Sequence, residues 1–373
     1  MLGKKKKKSE PVILAESWSP SCRIQAFVEE SDTCCYFYLW FNAGMDDAYM
    51  KSCWICNTGK APDKIDTDAM KDGGAPAMPK KYIKHDADGI RLNKDMLSVV
   101  WFEEGDAAAL LEGDTLICVI PGWSGYQGFS GYSRYALGEA PYAWELAPAE
   151  EVLGARVSKS RKFWDYFEGE YWEEVKQLHQ KAVEDFLGKP EKYLGIDGKR
   201  FPPKVLIAGT KDGVHYGITV GVSLLPMPQV EQYFQEETSD FRRIELGFAA
   251  SEAQKDVCMK MYSYIAAVSR IPWQEISFLG HGHTIPCDAI EGFSAVWLLD
   301  SRLLPQIDAP VYPDFMGDKI NLLWMVPLKE DEFRKLKEIG TGDALKLLEG
   351  HLEELHIFDG AGKLDGKMDG KME

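Results

Sequence analysis

Two dense apolar runs towards the C-terminal end constrain this chain most. Residues 293–299 read FSAVWLL and residues 320–326 read INLLWMV. Each run is short enough for a strand and too rich in hydrophobic side chains to lie on a surface. Pro305, Pro310 and Pro313 mark a loop between them. Pro327 is expected to stop the second run, and an acidic helix start is expected from Lys329.

The chain has 373 residues, beyond the roughly 250–300 over which a single core keeps growing, so two domains are expected. Hydrophobic residues make up 45%, with 11 Trp, 16 Tyr and 17 Phe, enough for ordinary cores. Residues 1–10 read as a basic tail, and residues 359–373, with their repeated Asp-Gly-Lys-Met, as a disordered one. Residues 11–150 form the first expected domain, β-rich or α+β. Its predicted strands are 23–28, 35–41, 97–102 and 115–120, with a helical signal at 106–111. The small and charged residues 146–162 read as a linker.

The second expected domain covers residues 163–355. Phe163, Phe167, Tyr171, Val175, Leu178, Ala182 and Phe186 recur at three- and four-residue steps, which predicts one helix ended by Gly188 and Pro190. Strands are expected at 205–208, 215–222 and 243–248. Ser251 then reads as the N-cap of a helix towards Arg270, with Val257, Met261, Tyr264, Ile265 and Val268 inward and Pro272 limiting its far end. The order is helix, strands, helix, strands, helix. That is α+β rather than a βαβ repeat.

Four short patterns share this half. Gly-His-Thr-Ile-Pro (282–286) precedes the first apolar run, and Val-Pro-Leu-x-x-x-Glu (326–332) follows the second. Tyr216-Gly-Ile-Thr-Val-Gly-Val-Ser and Arg243-Ile-Glu-Leu come before them. In order and spacing they resemble the suppressor of fused (SUFU) family, bacterial type, over residues 171–355. The resemblance implies a mixed sheet with flanking helices and a protein-binding role, and it brings no catalytic residues. Animal members hold a transcription factor, and bacterial relatives look like immunity proteins that neutralise a partner toxin. The animal proteins carry a further lobe after this domain, whereas here the extra domain precedes it. No peptide-contacting residues therefore carry over.

Net charge is −16. An acidic field of this size disfavours nucleic acid and anionic membrane surfaces as partners, and it suits a basic protein such as a basic toxin. The run Lys4 to Lys8 reads as a solvated tail. No stretch of 18 apolar residues occurs, and residues 12–15 are too short for a signal-peptide core, so a cytoplasmic location is expected. The eight cysteines are then expected to be reduced.

Catalytic signatures are absent. There is no P-loop, no Gly-x-Gly-x-x-Gly, and no nucleophile elbow around Ser130 or Ser133. His351 and His356 are five apart, which does not align two imidazoles on one helix face as four does.

Three constellations are left. Cys53-Trp-Ile-Cys56 could be a redox or zinc motif, completed by Cys34 and Cys35. A redox role needs the first thiol at a helix N-terminus, and the flanks give no strand-to-helix turn, so buried structural thiols are expected. His281-Gly-His283 could ligate a metal in extended backbone, but no third ligand stands out. In the loop 122–142, Trp123, Tyr126, Phe129, Tyr132 and Tyr135 fall every third residue among glycines and serines. That composition suits a protein-recognition surface, against rings packed inward for stability. The resulting expectation is a non-enzymatic protein-binding module without cofactor or metal. A thiol- or metal-dependent enzyme built on Cys53/Cys56 or His281/His283 is the alternative.

Overall fold

The computed structural model describes residues 10–65, 67–71, 73–198 and 200–364. The lysine run and the repeats from residue 365 lie outside them. The chain divides into two compact units, Met1–Gly169 and Glu170–Glu373.

The first unit holds two sheets. One is a four-stranded antiparallel meander, β1 (Val12–Trp18), β2 (Ile24–Glu30), β3 (Cys34–Phe41) and β4 (Tyr49–Asn57). Its inner face, with Ile24, Ala26, Val28, Phe37, Leu39 and Phe41, is fully buried by the period-2 alternation of the strands. The other sheet runs β5 (Leu97–Trp101), β6 (Ala108–Glu112), β7 (Thr115–Ile120), β8 (Tyr132–Ser133) and β9 (Trp144–Glu145) in sequence order.

Two sequence expectations fail in this unit. Residues 106–111 carry helix formers, yet Ala108–Glu112 is a strand paired on both sides. Gly113, at φ 62°, turns the chain back before a helix could complete two turns. Residues 146–162 are not a linker, because the helix Glu150–Tyr166 occupies most of them. Most of its charges lie outward, apart from Arg156 over the Phe102 ring, while Leu153, Val157, Ser160 and Phe163 are buried, with Leu153 and Val157 packing beside Val100, Phe102 and Val119.

The helix expected at 163–187 is also interrupted. It ends at Tyr166, and helical structure resumes at Tyr171–Val175, passes through the π-helical segment Lys176–Gln180, and closes with Lys181–Leu187.

The second unit is built on one mixed sheet. Its strands are β10 (Lys192–Ile196), β11 (Lys204–Lys211), β12 (Val214–Val220), β13 (Arg243–Ser251), β14 (Thr284–Pro286), β15 (Ala295–Asp300), β16 (Ile320–Leu328) and β17 (Ile357–Phe358). Their spatial order is β10-β11-β12-β13-β16-β15-β14, with β17 beside β13. β13 is parallel to β16 and β17, and the other pairs are antiparallel. The two apolar runs thus become adjacent interior strands, buried throughout. Pro327 does not stop β16. It sits inside the strand opposite Val296.

Ser251 heads a 3-10 turn (Glu252–Val257) that leads into the helix Cys258–Val268, and its side chain makes no capping bond. Met261, Ile265 and Val268 of that helix are buried as expected, together with Tyr262. The helix Glu330–Leu347 follows Lys329 as expected. Leu364 is buried, and its N–H donates to Glu332 Oε1 at 2.5 Å, so the described part of the expected C-terminal tail is packed. Both units together make an α+β chain. Among the described residues no helix is long and apolar enough to cross a membrane.

Candidate functional site

The sequence Arg243-Ile-Glu-Leu shows how the second unit positions an aromatic pocket. Side chains alternate along β13, so Arg243 and Glu245 share one face while Ile244 and Leu246 take the other. The charged pair is fully buried and hydrogen-bonded. Arg243 donates to Asp318 Oδ2 at 2.7 Å and to the carbonyls of Ser223 and Leu224 at 2.9 and 2.8 Å. Glu245 accepts from Thr219 Oγ1, Ser223 Oγ and the Gly221 and Ser223 N–H groups. Burial still pushes its carboxyl above the usual range. These bonds fix the strand that carries Ile244 on the opposite face.

On that face three neighbouring strands supply the floor of a cavity of about 440 Å³. Ile244 lies beside Asn321 of β16, and Leu323 of β16 lies opposite Asp300 of β15. Aromatic rings from two other segments form the walls. Phe234 stacks on Phe241 with centroids 4.4 Å apart, and Phe278 meets Tyr233 at 5.1 Å, Phe234 at 5.8 Å and the His283 ring at 5.0 Å. Tyr233 and Leu303 leave much of their surface open at the rim.

His281 and His283 both line this cavity. Their loop is tied to β15 by backbone bonds, Gly282 N–H to Leu298 O and Leu298 N–H to His283 O, both at 2.8 Å. Gly282 takes φ 86°, and a Cβ there would meet Thr341 Oγ1 at 2.6 Å, so the turn requires glycine. His281 Nδ1 accepts the Asp300 N–H at 3.2 Å, which places the proton of the neutral ring on Nε2. Burial holds both imidazoles below their ordinary pKa, with the neighbouring His283 adding to the effect on His281. Burial raises the Asp300 carboxyl. Asn321 Nδ2 donates to the carbonyls of Asp240 and Arg243, while its Oδ1 is buried without a hydrogen-bond partner. The pocket is therefore apolar and aromatic, with two imidazoles, the Asn321 amide and the Asp300 carboxyl among its polar groups. Its chemistry suits recognition of an apolar or aromatic group. Among the described residues no three His, Cys, Asp or Glu side chains come together to hold a metal.

The thiol motif lies elsewhere, inside β4. Cys53 and Cys56 are buried in mid-strand, where no helix dipole acts on them. Cys56 faces Cys35 across β3, and Cys53 Sγ donates to the Tyr132 carbonyl at 3.6 Å. The thiols next to them are held protonated. Cys35 is raised through its contact with Cys56 and by burial, and Cys118 by burial and then Cys53. The structure brings these cysteines together as a buried cluster. All eight cysteines are free and buried.

The aromatic loop is divided between surface and interior. Tyr126 is 70% exposed on a 3-10 turn (Tyr126–Gly128). Phe129 is buried between Tyr132 and Trp144, with centroids 4.9 and 4.8 Å away. Trp123, Tyr132 and Tyr135 are half-buried, Tyr135 with its ring against His85. Three-residue spacing does not make a common face here, because the chain turns at Gly125 and Gly128 and enters β8 at Tyr132.

The second unit is a mixed-sheet α+β domain with an apolar, aromatic pocket on one face of its sheet. Residues 196–359 match the family model described as suppressor of fused protein (SUFU), so this unit is a suppressor of fused-like domain. No curated protein matches the chain. Among solved structures, one titled "the Sufu-Fu complex crystal structure" aligns at 12% identity with a TM-score of 0.33, covering 48% of this chain and 86% of that one. The Tyr216 and Arg243 patterns read in the sequence lie in β12 and β13, inside the matched residues.

Proposed function

We propose that the protein is a non-enzymatic binding module of the cytoplasm. The pocket between Phe234, Phe278 and His281 accepts an apolar or aromatic side chain of a partner protein. The observation that carries this reading is the pocket itself: its rings offer rigid contact area, and its imidazoles are neutral. Tyr126 of the first unit, with the edges of Trp123, Tyr132 and Tyr135, adds a second contact in this reading, while Phe129 shapes the loop. The net charge of −16 supports a basic partner, and a basic toxin neutralised by an immunity protein fits that chemistry.

Affinity capture from native extract tests the proposal, with wild-type protein run beside Phe234→Ala/Phe278→Ala and a Tyr126→Ala variant. The expected result is one basic protein, recovered in near-equal amount by the wild type, weakened by salt and lost by the pocket variant. Equal recovery by the folded pocket variant would exclude the pocket. No partner for the wild type, together with bound zinc or rapid thiol chemistry, would favour the enzymatic alternative.

A further inference from the structure

The outer face of the first sheet carries a second feature that the pocket does not use. Strand register places Trp18, Gln25, Trp40 and Met50 side by side across β1, β2, β3 and β4. The next row on the same face is Glu16, Phe27, Tyr38 and Ser52, and Glu29 begins the third. Trp18 is 55% exposed, Met50 52% and Trp40 36%, although the opposite face of the same strands is the fully buried core. Phe27 and Tyr38 stack beneath this row with ring centroids 5.0 Å apart. With strands about 4.8 Å apart, the two indoles sit roughly 10 Å from each other.

Charge decides what such a face can hold. Glu16 and Glu29 stand among the rings, and among the described residues neither has an ion-pair partner; Glu16 accepts only the Gln25 amide, at 3.3 Å. Glu30, by contrast, is paired with Arg91. Glu16, roughly 7 Å along β1 from the exposed Trp18 indole, matches a cation that stacks on the ring while its charge meets the acid. Glu29, two rows from the indoles, offers a second acid farther along the same face. Arginine fits best, since its planar guanidinium can do both.

We propose that this face is a docking surface for a basic, arginine-rich segment of a partner protein, held by cation–π contacts to Trp18 and Trp40 and by Glu16 and Glu29. The surface belongs to the first unit and stands independently of the pocket.

A fluorescein-labelled octa-arginine peptide, titrated into the full chain and read by anisotropy, tests it. Trp18→Ala/Trp40→Ala and Glu16→Gln/Glu29→Gln are each expected to weaken binding at least tenfold. Trp18→Phe/Trp40→Phe should retain most of it. Because the net charge alone attracts the peptide, Asp343→Asn/Glu349→Gln on the second unit serves as the equal-charge control and should change affinity less than twofold. Circular dichroism and thermal melting confirm that each variant is folded. Equal losses from the control and the face variants, or full affinity in folded Trp18→Ala/Trp40→Ala, would overturn the proposal. So would saturation of the face by neutral cellohexaose without peptide binding, or a concentration-dependent dimer abolished by Trp40→Ala, since each names a different occupant.

Discussion

Arg243 Nε donates to Asp318 Oδ2 at 2.7 Å, and both side chains are buried. Arg242 Nε donates to the same oxygen at 2.8 Å. Two guanidinium groups thus share one carboxylate in the turn before β16. Removing one member of a buried charge network leaves uncompensated charge, at a cost of about 3–5 kcal/mol. Asp318→Ala is expected to lower stability by that order in urea unfolding of the whole chain. Asp318→Asn, which keeps the shape and one acceptor, should lose less. Equal stability of wild type and Asp318→Ala would show that the network is not needed to hold β13.

A second constraint is steric. Gly217 of β12 lies under the Tyr262 ring, and a Cβ at Gly217 would sit 2.1 Å from a ring carbon. The helix Cys258–Val268 can approach the sheet this closely only over a glycine. Gly217→Ala should cost about 1–3 kcal/mol through overpacking. Combining it with Tyr262→Leu should restore part of that loss, because the clash is removed. Additive losses in the double variant would rule out direct contact as the cause.

These two cases show what could be read in the sequence and what could not. β15 and β16 were legible because strands buried on both faces leave unbroken apolar runs, whereas Pro327 misled because strand pairing tolerated it opposite Val296. β1 and β4 went unread. Their alternating faces mix Trp, Met and Cys with Glu, Lys and Ser, so neither stands out by composition. Residues 106–111 read as helix because Ala and Leu favour helices, and the pairing of Ala108–Glu112 with two neighbouring strands outweighs that preference. His281 and His283 were visible as a pair, but their pocket was not. Its floor and walls come from segments near 233, 241, 278, 300 and 321, and only the fold brings these together.

The buried thiols allow a direct check on the enzymatic alternative. All eight cysteines are buried, and Cys35 and Cys118 lie beside Cys56 and Cys53 in a setting that keeps them protonated. Ellman's reagent should therefore titrate less than one thiol per chain in the native protein near pH 7 and all eight after denaturation. A single thiol that reacts quickly in the folded state, mapped to Cys53 or Cys56, would revive the redox reading.

His179 and His356 predict how stability responds to acid. Burial lowers each to about 4, the cause being joined at His179 by repulsion from Arg243. Both rings pack against aromatic side chains, His179 beside Phe315 at 5.2 Å and His356 beside Trp324 at 5.0 Å. In the unfolded chain an imidazole takes up its proton near pH 6.5. The folded protein resists protonation until about pH 4, so between those values the unfolded state binds more protons and stability falls as pH falls. Each ring contributes on the order of 3 kcal/mol across the whole window. Urea midpoints measured from pH 7 down to 4.5 should decline steadily. In His179→Phe/His356→Phe, which keeps the ring volume and removes the titrating nitrogens, the decline should be visibly shallower over the same range. An unchanged slope in the folded double variant would mean that neither imidazole is held neutral by the fold, and the acid response would have to come from other groups, the partly buried histidines His85, His281 and His283 or the carboxylates.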